Sequence, residues 1–386
     1  MLKKLPALLT GLIITLTAYA ASVELADRHP DSYTVRRGDT LWDISARFLR
    51  KPWLWPEIWQ VNPQVKNPHL IYPGDVLNLG IGSGGPYLST EQPRVRESAI
   101  DEAIPPIPLS AIKQFLKHAR ILGEDEFEHA PHVVGIEENH LRGTAGQLIY
   151  VRGLNASVGQ KLAVLRPVGR YYDLPPEYEG QPRDAVHQEP DDRAGRPGML
   201  WHHGPGEFTL QGRVRFLGYE VMEFGNVEVT RSGDPASLLV AYSDFEVKAG
   251  DLVLPIDEKP YDDQYIPHSP AKVADGMRVI AFTDAMNAVG RRQVVALSRG
   301  GEQGVGNGQV YSIYQTGEVV RDSSEYPPGS ARRFFNPKDS KVRLPPEFIG
   351  HVMIFRTFQS VSYGLVMDGV KPVKIGNWLH DPDSTP

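Results

Sequence analysis

The chain has 386 residues, with 41 lysines and arginines against 47 aspartates and glutamates, for a formal net charge of −6. That length accommodates two or three domains, and the acidic balance argues against nucleic-acid binding as the main activity. The absence of cysteine excludes disulfide staples, a thiol nucleophile and a lipidated cysteine.

Residues 1–20 carry Lys3 and Lys4, then an apolar run over Leu5 to Ala18, then Ala18-Tyr19-Ala20. This is the pattern of a secretory signal peptide cleaved near Ala20, and the run is shorter than the ~20 apolar residues of a membrane-crossing helix. Cleavage removes two lysines and no acid, so the net charge moves from −6 to −8. A periplasmic protein with no membrane anchor after cleavage is expected. Residues 21–31 read as a polar tether.

Over 32–80 the spelling is strand, helix, helix, strand. Ser32 to Val35 alternates as a strand, and Gly38-Asp39-Thr40 is a turn in which Asp39 or Thr40 can cap the next helix. Leu41, Ile44 and Phe48 lie at helical spacing. Pro56 opens a second helix with Ile58, Trp59 and Val61 on its apolar side, Asn62-Pro63 stops it, and Asp75 to Leu79 is the return strand.

Two phrases in this stretch, Tyr33-Thr34-Val35-Arg36-Arg37-Gly38-Asp39-Thr40-Leu41-Trp42 and Asn67-Pro68-His69-Leu70-Ile71-Tyr72-Pro73-Gly74-Asp75-Val76-Leu77, resemble a LysM module, a binder of N-acetylglucosamine polymers. The resemblance implies a shallow groove walled by Gly38, Asp39, Thr40, Leu41 and Trp42 on one side and by Pro68, His69, Leu70, Ile71 and Tyr72 on the other. Backbone amides and carbonyls there suit an acetamide, and apolar side chains suit its methyl and the sugar face. Each residue also has a plainer reading: Gly38 as a turn glycine, Asp39 and Thr40 as caps, Leu41, Ile71 and Leu77 as core. Trp53, Trp55 and Trp59 either stack on sugar or pack between the helices. Six basic residues (Arg36, Arg37, Arg47, Arg50, Lys51, Lys66) against four acidic (Asp39, Asp43, Glu57, Asp75) make 32–80 mildly positive, which suits the carboxylates of murein.

Gly80-Ile81-Gly82-Ser83-Gly84-Gly85-Pro86 reads as a hinge, with a linker over 81–108, and Ile112, Phe115, Leu116 and Ala119 recur at helical spacing over 111–119. From about 130 the grammar becomes short apolar strands between turn residues. A phrase recurs in it, a glycine, a polar residue and a strand: Gly146-Gln147-Leu148, Gly159-Gln160-Lys161, Gly250-Asp251-Leu252 and Gly308-Gln309-Val310. Several small related β units are expected, interrupted by exposed loops near 177–206 and 321–346, with a last hairpin over His351 to Phe358 and Val361 to Met367. The fold class is α+β: a βααβ module, a flexible linker, and a β-rich region over 109–380.

No catalytic set accompanies these elements. There is no His-Glu dipeptide and hence no HExxH; His129 with His132 and His202 with His203 lack a third ligand, so neither metal nor cofactor is expected. Glu97-Ser98 matches the dipeptide of lytic transglycosylases but stands in the linker, and Gly300 to Gly308 reads as a long hairpin turn. A murein hydrolase with an unfamiliar β-rich catalytic domain and a general envelope scaffold remain alternatives.

A signal peptide, one early LysM module and a long cysteine-free β-rich region with phrases such as Val247-Lys248-Ala249-Gly250-Asp251-Leu252-Val253-Leu254-Pro255 resemble the TsaP family, secretin-associated proteins of type IV pili. In that family the C-terminal region is similar to a flagellar-ring protein. The resemblance implies a non-enzymatic anchor whose partners are peptidoglycan glycan strands and the outer-membrane secretin ring.

Overall fold

The computed structural model describes residues 23–60, 71–82, 85–90, 104–107, 112, 119–173, 201–203, 215–257, 265–283, 288–335 and 340–384. The expected signal peptide, Glu97-Ser98, most of the expected helix over 111–119 and most of the loop near 177–206 lie outside these residues. None of the described helices is long and apolar enough to cross a membrane.

Three strands, β1 (Ser32–Thr34), β2 (Val76–Gly82) and β3 (Gly85–Thr90), form an antiparallel sheet in that order. Between β1 and β2 lie α1 (Leu41–Phe48), a short 3-10 turn over Pro52–Leu54, and α2 (Trp55–Gln60). Helix α1 starts where the sequence places it, because Thr40 Oγ1 accepts the Asp43 N–H at 3.1 Å. Its apolar stripe of Leu41, Ile44 and Phe48 is fully buried. The polar stretch before β1 is no free tether: Ala26 N–H donates to Phe48 O at 2.8 Å and Arg50 N–H to Glu24 O at 3.0 Å.

Strand β3 corrects the expected hinge. Gly80 pairs with Tyr87 in the β2–β3 hairpin, and a Cβ on Gly80 would stand 2.4 Å from the Tyr87 ring. The glycine there admits an aromatic ring to the sheet face rather than loosening the chain. Leu88, fully buried, fastens β3 to the module core.

The β-rich region holds two units of one topology. In the first, β5 (His132–Ile136), β6 (Leu148–Arg152), β7 (Lys161–Tyr172), β9 (Phe216–Arg231), β10 (Ala236–Ser243) and β11 (Leu252–Pro255) close a ring in the order β5-β6-β10-β9-β7-β11, with β4 (Ala119–Leu122) added on β9. In the second, β12 (Val279–Thr283), β13 (Val294–Leu297), β14 (Val310–Gln315), β17 (Glu347–Thr357), β18 (Ser362–Gly369) and β19 (Trp378–His380) follow the same order. That ring is closed by Val279 N–H to Asn377 O at 2.9 Å and Leu379 N–H to Met277 O at 3.0 Å. Closure removes exposed strand edges, and the interiors are filled by matching apolar sets such as Ile149, Val164, Val229 and Val240 in one and Val295, Ile313, Ile354 and Val366 in the other.

The recurring phrase is therefore a turn, used several times per unit, and two units replace the several that were expected. In Thr144–Gln147, Ser157–Gln160, Lys248–Asp251, Gly290–Gln293, Gly306–Gln309 and Lys374–Asn377, the fourth residue's N–H donates to the first residue's carbonyl. Its side-chain oxygen accepts the first residue's N–H. Arg36–Asp39 and Tyr72–Asp75 in the N-terminal module do the same. The third residue has positive φ throughout, which is why it is glycine everywhere except Arg292, at φ 64.

Both polar stretches singled out in the sequence fall between the third and fourth strands of their unit. The first contributes β8 (Trp201–His203), which pairs with β12 of the second unit, so it is not loop throughout. The second carries an exposed ribbon, β15 (Val319–Arg321) with β16 (Lys341–Arg343), and a short helix over Ala331–Phe335. The Gly300 to Gly308 stretch connects β13 to β14, its Gly301 N–H donating to Phe358 O at 2.8 Å.

The N-terminal module packs on the outer face of the second unit. One hydrophobic cluster runs from Val35, Trp42 and Trp55 to Val294, Met353, Phe355 and Leu365. Arg292 reaches Asp43 on α1 at 2.9 Å and Arg291 joins the same carboxylate. The Trp53 ring lies 4.8 Å from the His351 ring. The module and the β region thus share a core, while residues 91–103 of the expected linker lie outside the described residues.

Candidate functional site

The site is built on the two ends of the module's hydrogen-bonded frame. Gly38 (φ 89) turns the chain from β1 into α1, and Asp39 Oδ2 accepts both the Arg36 N–H and the Tyr33 hydroxyl at 2.8 Å. Burial, with Asp39 as acceptor, raises the Tyr33 pKa. On the opposite wall Tyr72 N–H donates to Asp75 Oδ2 at 2.9 Å. Val35 N–H to Asp75 O and Gly74 N–H to Val35 O, both 2.8 Å, tie the two turns together.

These bonds assign most of the expected groove residues to the frame. Asp39 closes the turn before α1 and Thr40 caps the helix; Leu41, Trp42 and Ile71 have buried side chains, at most 1% exposed, so what they present to a ligand is backbone. Gly38 is exposed and Tyr72 half-buried at the rim. Pro68, His69 and Leu70 lie outside the described residues. Trp53 and Trp55 are core, 2% and 1% exposed; the side chain of Trp59 lies outside the described residues.

Thr40 satisfies only the third amide of α1. The first two, Leu41 N–H and Trp42 N–H, point between the walls, where they donate to Pro105 O at 3.1 Å and Pro106 O at 3.3 Å. From the other wall Ile71 O accepts the Ile104 N–H at 2.9 Å. Ile104 and Ile107 flank this contact, both buried. The sequence reading missed Ile104 to Ile107, and its signal was slight: two isoleucines around a Pro-Pro in an otherwise polar stretch.

A backbone donor pair facing a backbone acceptor across an apolar slot recognises a secondary amide carrying a methyl. The arrangement sits within a known family. The chain carries a LysM domain at residues 33–80. LysM domains bind the glycan chains of peptidoglycan. A 60-residue stretch is 37% identical to the uncharacterized protein YqbP of Bacillus subtilis (strain 168), covering 13% of this chain and 27% of that protein, so the chain spans little over a quarter of the relative it matches.

A second concave site lies between the β units, lined by Arg120, Leu122, Asp257, Arg356 and Phe358. Arg356 is buried, which lowers its pKa; it sits 3.6 Å from Asp257 and 5.0 Å from the Phe358 ring centroid. Arg120 donates to Glu223 Oε2 at 2.7 Å and to Pro255 O at 2.8 Å. The Arg356–Asp257 pair joins the two units, while the Arg120 bonds hold β4 within the first. His129 and His132 are spent on backbone carbonyls of Asp125 and Ala130, and no group of three or more metal-ligating side chains occurs among the described residues.

Proposed function

We propose that the protein is a non-enzymatic, peptidoglycan-binding anchor of the cell envelope, exported by the signal peptide at 1–20 and held in the periplasm on the cell wall. The LysM domain at 33–80 supports the wall-binding half. The groove residues proposed to meet N-acetylglucosamine are Gly38, Asp39, Thr40, Leu41 and Trp42 with Pro68, His69, Leu70, Ile71 and Tyr72, acting mainly through the Leu41 and Trp42 amides and the Ile71 carbonyl. The proposed second half is attachment of the outer-membrane secretin of a type IV pilus by the paired β units, which the TsaP-like architecture supports. The exposed ribbon β15–β16, with Phe334 81% and Phe335 76% exposed beside it, is a surface suited to that contact.

The observation that carries the wall-binding reading is the pair of α1 amides facing the Ile71 carbonyl across an apolar slot. Co-sedimentation with insoluble murein tests it: the intact chain pellets, and the chain lacking 33–80 stays in solution. Undiminished pelleting after that deletion sinks the reading. For the secretin half, crosslinking in the native envelope followed by partner identification is expected to recover the secretin, and its absence among the crosslinked partners contradicts that half.

A further inference from the structure

We propose that the LysM groove is filled in cis by the segment Ile104-Pro105-Pro106-Ile107 and that glycan binds by displacing it, an inference that rests on the reading of the groove as the glycan site. An acetamide and a peptide unit are the same functional group: one carbonyl acceptor, one N–H donor, apolar carbon on either side. The segment presents each feature where an N-acetyl group would need it. Its Pro105 and Pro106 carbonyls take the Leu41 and Trp42 amides at 3.1 and 3.3 Å, and its Ile104 N–H meets the Ile71 carbonyl at 2.9 Å. The isoleucine side chains, 4% and 0% exposed, occupy apolar volume in the module core.

The two prolines fit this use. Neither has an N–H, so the segment supplies two consecutive carbonyls without burying an unpaired donor between them, and fixed φ angles lower the entropy cost of docking an extended chain. One amide hydrogen cannot serve two strong acceptors, so sugar and segment exclude each other at Leu41 and Trp42. Because the segment is covalently attached, it competes at an effective concentration of order millimolar. The apparent affinity for glycan is then the intrinsic one reduced by the fraction of molecules whose groove is open. Capture of a glycan strand frees residues 104–107 from the module, so wall binding and the path of the chain into the β region are coupled.

The test is calorimetric titration of the intact chain with chitohexaose, comparing the wild type with Ile104→Asp/Ile107→Asp, the folded state of each checked by circular dichroism and thermal melting. The double variant is expected to bind at least ~10-fold more tightly. Equal affinities overturn the proposal and leave the glycan reading standing. No binding by either protein removes the glycan reading and the proposal with it. If the variant does not fold, hydrogen exchange on the wild type decides: saturating chitohexaose should strip protection from the Ile104 amide while Leu41 and Trp42 keep theirs, and unchanged protection at Ile104 overturns the proposal.

Discussion

Asp251→Asn isolates one charge in the first β unit. The Asp251 carboxylate is 1% exposed and Arg166 6%. They pair through two parallel bonds, Nε to Oδ1 and NH2 to Oδ2, both 2.7 Å, and Arg166 also donates to Glu246 O at 2.7 Å. Asp251 is the fourth residue of its turn, accepting the Lys248 N–H at 2.8 Å. The repeat supplies a control, because the pairing register places Gln315 and Asn377 of the second unit where Arg166 and Asp251 stand in the first. Asn377 makes the same turn bond to the Lys374 N–H at 2.7 Å. Asparagine at 251 therefore keeps the turn and removes the charge, leaving a buried guanidinium without its counter-ion. Breaking one side of such a pair costs ~3–5 kcal/mol, which lowers the melting temperature by on the order of 10 °C in a unit of this size. Arg166→Gln added to Asp251→Asn imports the neutral pair of the second unit and should return stability to within ~1 kcal/mol of wild type. Scanning calorimetry of the full chain reads both. A single variant costing under ~1 kcal/mol, or a double variant no better than the single, refutes the argument.

Arg292→Gly removes the one non-glycine at the positive-φ turn position, worth ~1 kcal/mol of relief, and removes a half-exposed ion pair to Asp43 worth less than that. The melting temperature should hold or rise while hydrogen exchange in α1 quickens; a fall of several degrees contradicts the turn argument. The phenols of Tyr171, Tyr311 and Tyr363 are all pushed above their usual value of 10.0, first of all by burial and, for Tyr171 and Tyr363, next by the nearby Glu220. A raised acid pKa in the folded state means full stability below about pH 10 and loss as pH climbs past it. Ultraviolet titration should show these three ionising together with unfolding, and early ionisation with native circular dichroism retained would count against their burial.

The LysM module was legible because its information is local: a cap at Thr40, an apolar stripe at 41, 44 and 48, and two turn phrases in order. Its sequence leaves each wall residue two readings, ligand contact or frame, and the burial of Leu41, Trp42 and Ile71 leaves their backbone as what they offer. Trp53 and Trp55 have two readings in the sequence, and the structure places both in the core, Trp53 against Trp42 and His351 and Trp55 by burial at 1% exposed. The Gly-Gln and Gly-Asp phrases were visible, yet a turn marks where a strand begins and carries nothing on which strands meet. Ring closure depends on distant pairs such as Leu238 with Ile149 and Val279 with Asn377, which no local pattern encodes. Gly80 failed for a related reason, because its requirement comes from Tyr87 across the hairpin rather than from its neighbours.

Wall binding through the α1 amides is most directly read by amide-resolved NMR titration of the intact, isotope-labelled chain with chitohexaose. Shifts concentrated at Gly38, Leu41, Trp42, Ile71 and Tyr72 are the expected result. Saturable binding with its shifts elsewhere, or no shift at any concentration of the oligosaccharide, would contradict it.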